Sequence, residues 1–193
     1  RAIVASANKD GLLSVLDRSR VTSSTAAAGE RIPTLFQSPT TTRENVDVPL
    51  SRSAPVRFCP GMQGGNEWNG AAFHPGLNAL FTGAVDWCAT VQLQDEVKVP
   101  SPGAIWFGAR PGDNQGPASE AKGWITAFDA DTGAVRWKFA ASTPVVAAVT
   151  PTAGGLLFSA DLRGELRAFD AENGSVLWHL DTGQSIGGGI VSY

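Results

Sequence analysis

The sequence has 193 residues, 42% hydrophobic and 17% charged, with 22 glycines, 12 prolines and six tryptophans, a balance that suits a chain with a buried core and argues against disorder or a collagen-like repeat. Fifteen basic against eighteen acidic residues leave a formal charge of −3, so there is no surplus of positive charge for a phosphate backbone and no nucleic-acid partner is expected. No apolar run reaches the ~18 residues that cross a bilayer, and two cysteines with two distant histidines are too few for a Cys-rich zinc site or a His cluster.

In chain order, the sequence opens without Met inside a strand-like run, and Gly11-Leu12-Leu13-Ser14-Val15-Leu16-Asp17-Arg18 continues as a strand ending on Asp. Residues 1–21 read as a degenerate hairpin. Residues 22–57, rich in Ser, Thr and Ala and broken by Pro33, Pro39, Pro49 and Pro55, read as a long surface loop. Within 58–99, Ala71-Ala72-Phe73 and Ala79-Leu80-Phe81-Thr82 flank a turn at His74-Pro75-Gly76-Leu77-Asn78. Cys59 and Cys88 are either one bridge or two free thiols. Residues 100–122, with Pro100, Pro102, Pro111 and Pro117, read as a second loop, and His74 and His179 as surface or turn residues.

The second half of the chain carries an internal repeat. The segment Gly123–Trp137 lies over Gly164–Trp178 at a constant offset of 41, with eight of fifteen positions identical, including Asp129/Asp170, Gly133/Gly174 and Trp137/Trp178. Each copy reads as a hairpin in which Asp accepts turn amides, Gly supplies the left-handed residue and Trp buries a large face. Between the copies, 145–149 and 156–160 supply two further strands, and a 41-residue period of four short strands is the size of one propeller blade. The expected fold is all-β: a partial β-propeller of four-stranded antiparallel blades, with one blade in 58–99, one in 123–163, and a last, incomplete one in 164–193. The strand-like ends predict a piece of a longer chain.

The tandem motif Ala-Phe-Asp-x-x-x-Gly-x-x-x-Trp resembles the tryptophan-docking motif of pyrroloquinoline quinone (PQQ)-dependent dehydrogenases, periplasmic eight-bladed propellers. Further stretches resemble the same family in the same order: Asn8-Lys9-Asp10-Gly11, Gly64-Gly65-Asn66-Glu67-Trp68-Asn69, the run Thr150–Phe158 and the tail Gly187–Tyr193. The resemblance implies the C-terminal portion of such a propeller, with Lys9, Asn66, Glu67, Trp68 and Asn69 facing the cofactor. It also implies Asp129, Gly133, Trp137, Asp170, Gly174 and Trp178 in structural roles, and a disulfide between Cys59 and Cys88 like that of the methanol dehydrogenase branch. An ammonium beside a quinone carbonyl would stabilise negative charge on that oxygen. The family's calcium ligands and catalytic Asp lie upstream of the matched segment, so neither catalytic nor metal residues are expected here and the fragment alone should be inactive. Glu67 stands where family members often carry Asn.

The implied whole protein oxidises a small alcohol, sugar or aldehyde in the periplasm, using PQQ and calcium and passing electrons to an acceptor such as cytochrome c or ubiquinone. The competing reading is a non-catalytic propeller module that binds proteins, as in outer-membrane assembly factors. Polar residues converging on one axial cavity favour the enzyme, since a scaffold has no use for them. Open blade edges would also permit self-association.

Overall fold

The computed structural model of the chain describes residues 2–193 except 23, 25–28, 30, 97, 98, 100, 105, 107 and 110–114, so parts of both expected loops lie outside the described residues. The described residues form three antiparallel blade-like sheets and one small ribbon. The first sheet is β1 (Ile3–Ala7), β2 (Leu12–Asp17) and β3 (Thr34–Pro39), in that order. The ribbon pairs β4 (Val56–Phe58) with β7 (Ala89–Val91). The second sheet is β5 (Ala71–His74), β6 (Ala79–Asp86), β8 (Lys122–Asp129) and β9 (Val135–Ala141). The third is β10 (Thr150–Pro151), β11 (Leu156–Ala160), β12 (Glu165–Asp170) and β13 (Val176–Asp181). The all-β propeller expectation holds.

The partition into blades does not. Each Trp-bearing hairpin, β8–β9 and β12–β13, is the outer half of its blade, and the inner half precedes it in the chain. The repeat therefore starts in mid-blade: the complete blades run from Ala71 to Ala141 and from Thr150 to Asp181, cutting across the expected boundaries at 123 and 164. Residues 145–149 form no strand and run as an extended inner segment, with Thr150–Pro151 taking the inner position.

The expected loop 22–57 also contains a strand, because the insertion sits inside a hairpin turn. Asp129 and Asp170 donate their amides to Ala134 and Ser175, five residues on, whereas Asp17 donates to Pro33. The chain thus leaves the turn after Asp17 and rejoins the register at Pro33. All three hairpins shift register at the same place, two residues before the Asp. Val15, Ala127 and Ala168 are equivalent, and they face Phe36, Trp137 and Trp178. Phe36 takes in the first of these hairpins the place that tryptophan takes in the other two.

The middle blade is apolar on both faces because it is covered on both, so β6 is a continuous buried run rather than an alternating one. Phe81, Ile125 and Ala127 face the third blade with Leu157 and Phe169, while Leu80 and Phe128 face the first with Leu13 and Val15. Burying a side chain such as Phe81, Phe128 or Phe169 contributes roughly 1.5–3 kcal/mol. Successive blades are joined by the outer-strand aromatics. Trp137 donates from Nε1 to the Ala171 carbonyl at 3.0 Å and lies against Phe169 at a ring separation of 6.2 Å. Gly174, at φ 77°, makes room, since a Cβ there would sit 2.6 Å from the indole. Phe36 occupies the matching place over Gly133. Trp178, on the wholly exposed β13, keeps 46% of its surface open.

Candidate functional site

The end of the sheets that carries Ala7, Asp86, Ala141 and Asp181 gathers the innermost segments of the chain side by side. The Ala148 amide donates to Gly188 and Thr150 Oγ1 to Ile190, so the tail lies along the inner edge of the third blade. Asn69 Nδ2 reaches Gly83 O at 3.1 Å, Val145 O at 3.4 Å and Ala147 O at 3.2 Å, tying its segment to the next. Trp68 spans further, from Nε1 to Gly187 O at 2.9 Å, and the residue is 74% exposed.

Residues 61–66 form a strap over the β1–β2 turn. Gly65 and Asn66 donate their amides to the carbonyls of Lys9 and Asn8, and Val85 donates to Gly65. The strap is anchored by the Cys59–Cys88 disulfide, which the resemblance had implied. Glu44 Oε2 lies 3.5 Å from Cys59 Sγ, and these three residues are the one metal-capable grouping found among the described residues, with both sulfurs already consumed by the bridge.

Against this frame the expected site residues divide. Lys9 and Glu67 meet: the Lys9 ammonium lies 2.9 and 2.8 Å from the two Glu67 carboxylate oxygens and 2.8 Å from Gln63 O. Lys9 remains 63% exposed, whereas the Glu67 side chain is only 7% exposed. Trp68 follows directly and presents its ring to the open side. Asn66 does not face outward: it is 1% exposed, accepts from Thr40 Oγ1 at 2.6 Å and donates to Gly83 O at 2.8 Å, so it holds the strap. The Asn69 amide group is likewise turned inward, and its Oδ1 is buried without a partner. Neither Thr40, which lay in the expected loop, nor the cavity of about 340 Å³ beside Lys9, lined by Asp10, Arg43, Asp47 and Phe58 among others, has a local sequence signal.

The remaining expected residues serve the fold. Asp129 Oδ1 accepts the amides of Asp131 and Thr132, and Arg136 lies 2.6 Å from Oδ2. The Arg136 hydrogen bond, then that of Thr132, lowers the Asp129 carboxyl from 3.8 to about 2. Asp170 caps its turn in the same way, as does Asp17 through the Ser19 amide. His74 departs from expectation. It is 8% exposed, accepts from the Leu77 amide on Nδ1 and meets the Thr152 carbonyl with Nε2, which sets the Nε2-protonated tautomer and ties two blades together. His179 is exposed, 3.4 Å from Glu165.

The shape is shared with known proteins over nearly the whole chain. A europium-containing methanol dehydrogenase superposes at a TM-score of 0.73 with 22% identity, over 97% of this chain and 33% of its own. The quinohemoprotein alcohol dehydrogenase ADHIIG of Pseudomonas putida HK5 gives 0.74 and 18%, over 98% and 30%. That of Comamonas testosteroni gives 0.76 and 18%, over 98% and 29%. The chain shares the fold of these three proteins over the part that it matches. The chain spans about a third of the length of those dehydrogenases. Residues 121–190 match the family described as outer membrane protein assembly factor BamB. No curated protein sequence matches the chain. Among the described residues no helix is long and apolar enough to cross a membrane.

Proposed function

We propose that the chain forms the C-terminal blades of a periplasmic PQQ-dependent dehydrogenase that oxidises an alcohol, sugar or aldehyde, and that it supplies one edge of the cofactor site. The observation that carries this reading is the convergence of Lys9 with the 63–68 turn beside the β1–β2 turn, across more than fifty residues of sequence. An exposed ammonium and an exposed indole suit one edge of a planar quinone, the first a carbonyl oxygen and the second an aromatic face. Lys9 and Trp68 would hold the cofactor; Asn66 and Asn69 keep the strap and the inner segments in place beneath them. Bound PQQ supplies the hydride acceptor, and calcium, held by residues outside this chain, a Lewis acid. Reduced cofactor would pass electrons to an acceptor such as cytochrome c or ubiquinone.

The match of residues 121–190 favours a second reading, a protein-binding propeller module. That match covers only the two Trp-bearing hairpins and the segments beside them, whereas the Lys9–Glu67 convergence lies outside it. Equilibrium dialysis separates the two. The whole protein should bind PQQ stoichiometrically in the presence of calcium, and the 193-residue chain weakly or not at all. A whole protein that takes up no PQQ would favour the scaffold.

A further inference from the structure

We propose that Glu67 is a positioning residue that fixes the Lys9 ammonium so that a directed N–H, rather than a loose cation, faces a carbonyl oxygen of the bound ligand; this rests on the cofactor reading above. Three features support it. First, Glu67 stays almost wholly buried while both its oxygens lie within hydrogen-bond reach of an ammonium that is itself mostly exposed. A buried carboxylate needs a charged partner, and Lys9 is the one seen among the described residues.

Second, the acceptors around Lys9 are unevenly placed. Gln63 O takes one N–H and the Glu67 carboxylate one or two, all from the same turn. An ammonium has three donors, so serving the carboxylate with a single shared N–H leaves one for the open side. Third, the turn is built to close on the lysine stem. Gly64 has φ 80°, and a Cβ there would lie 2.7 Å from Lys9 Cβ.

The consequence is chemical. Lys9 and Glu67 together carry no net charge, so the pair attracts free anions less than an isolated lysine would. It offers instead an oriented donor beside the Trp68 ring, which suits a carbonyl on a planar ligand.

The test is acylation of Lys9 by N-hydroxysuccinimidyl acetate, followed by peptide mass spectrometry, with the exposed Lys122 as internal reference. In the 193-residue chain without ligand, Glu67→Gln should raise the Lys9 rate about tenfold relative to Lys122, the loss of one charged hydrogen bond. An unchanged ratio overturns the role of Glu67. Glu67→Asp, which keeps the charge on a shorter arm, should give an intermediate rate, and an unchanged circular dichroism spectrum of each variant shows that the fold persists. In the PQQ-loaded whole protein, Lys9 should be protected when Glu67 is present and lose protection in Glu67→Gln. Protection in both leaves the Lys9 contact standing and overturns the positioning role. Protection in neither overturns the Lys9 contact and this inference with it, whereas a whole protein that cannot be loaded with PQQ overturns the cofactor reading.

Discussion

Asp129 shows how much a single carboxylate organises at a blade corner. It holds two turn amides, a threonine hydroxyl and Arg136, and its ionisation is shifted to about 2. As pH falls, the unfolded chain takes up this proton first, so the contribution of Asp129 is complete above about pH 4 and is lost on descending to about pH 2. Asp129→Asn should cost about 1 kcal/mol at neutral pH, a value kept small by solvent screening, with the difference from the parent vanishing near pH 2. Urea midpoints at the two pH values check this. Gly174 and Gly155 form a second test, since both have positive φ but only Gly174 lies against a tryptophan. Gly155→Ala should cost about 1 kcal/mol from backbone strain alone. Gly174→Ala should cost about 2–4 kcal/mol, because Trp137 must also give way. A common cost for both would show that the indole does not rest on that turn.

Among the elements, the hairpins were legible and the strap was not, for physical reasons. Asp, Gly and Trp recur at a fixed offset because each hairpin solves the same problem of turning and docking, so the repeat exposes them. Phe36 escaped because the insertion between Asp17 and Pro33 moves it out of period and a phenylalanine replaces the indole. The sheet partition escaped because a repeat has no marked origin: period alone does not say whether the inner or outer pair of strands comes first. The pairing of Lys9 with Glu67 and of Thr40 with Asn66 leaves no local pattern at all, since contacts between successive blades join residues far apart in sequence. The disulfide was implied only by resemblance. Closing a loop of 29 residues, it should stabilise the strap by about 3–4 kcal/mol on the chain-entropy account. Unfolding with and without reductant should show a lower midpoint on reduction, and an unchanged one would mean that the strap is held by its backbone hydrogen bonds alone.

At the scale of the molecule, Trp137 and Trp178 are the same residue in two settings, one seated on the next blade and the other on an uncovered one. Trp137→Ala should cost about 3–5 kcal/mol, whereas Trp178→Ala should barely move the stability of the 193-residue chain. We expect the exposed face with Leu177, Trp178 and Leu180 to associate with other copies at high concentration. Sedimentation should show that association weakened in Trp178→Ala. The offset between repeat and blade carries a different consequence, for how such a chain can change length. Removing residues 123–163 would bring β12 and β13 to the chain positions of β8 and β9, after β6 and β7, and because β12 occupies in its blade the place β8 occupies in the other, the remaining strands could close as β5-β6-β12-β13 with no unpaired edge inside the sheet. A recombination event that drops or adds one repeat therefore need not respect any blade boundary. It would splice the inner half of one blade to the outer half of another, so blade number could drift during evolution while each spliced sheet kept four strands.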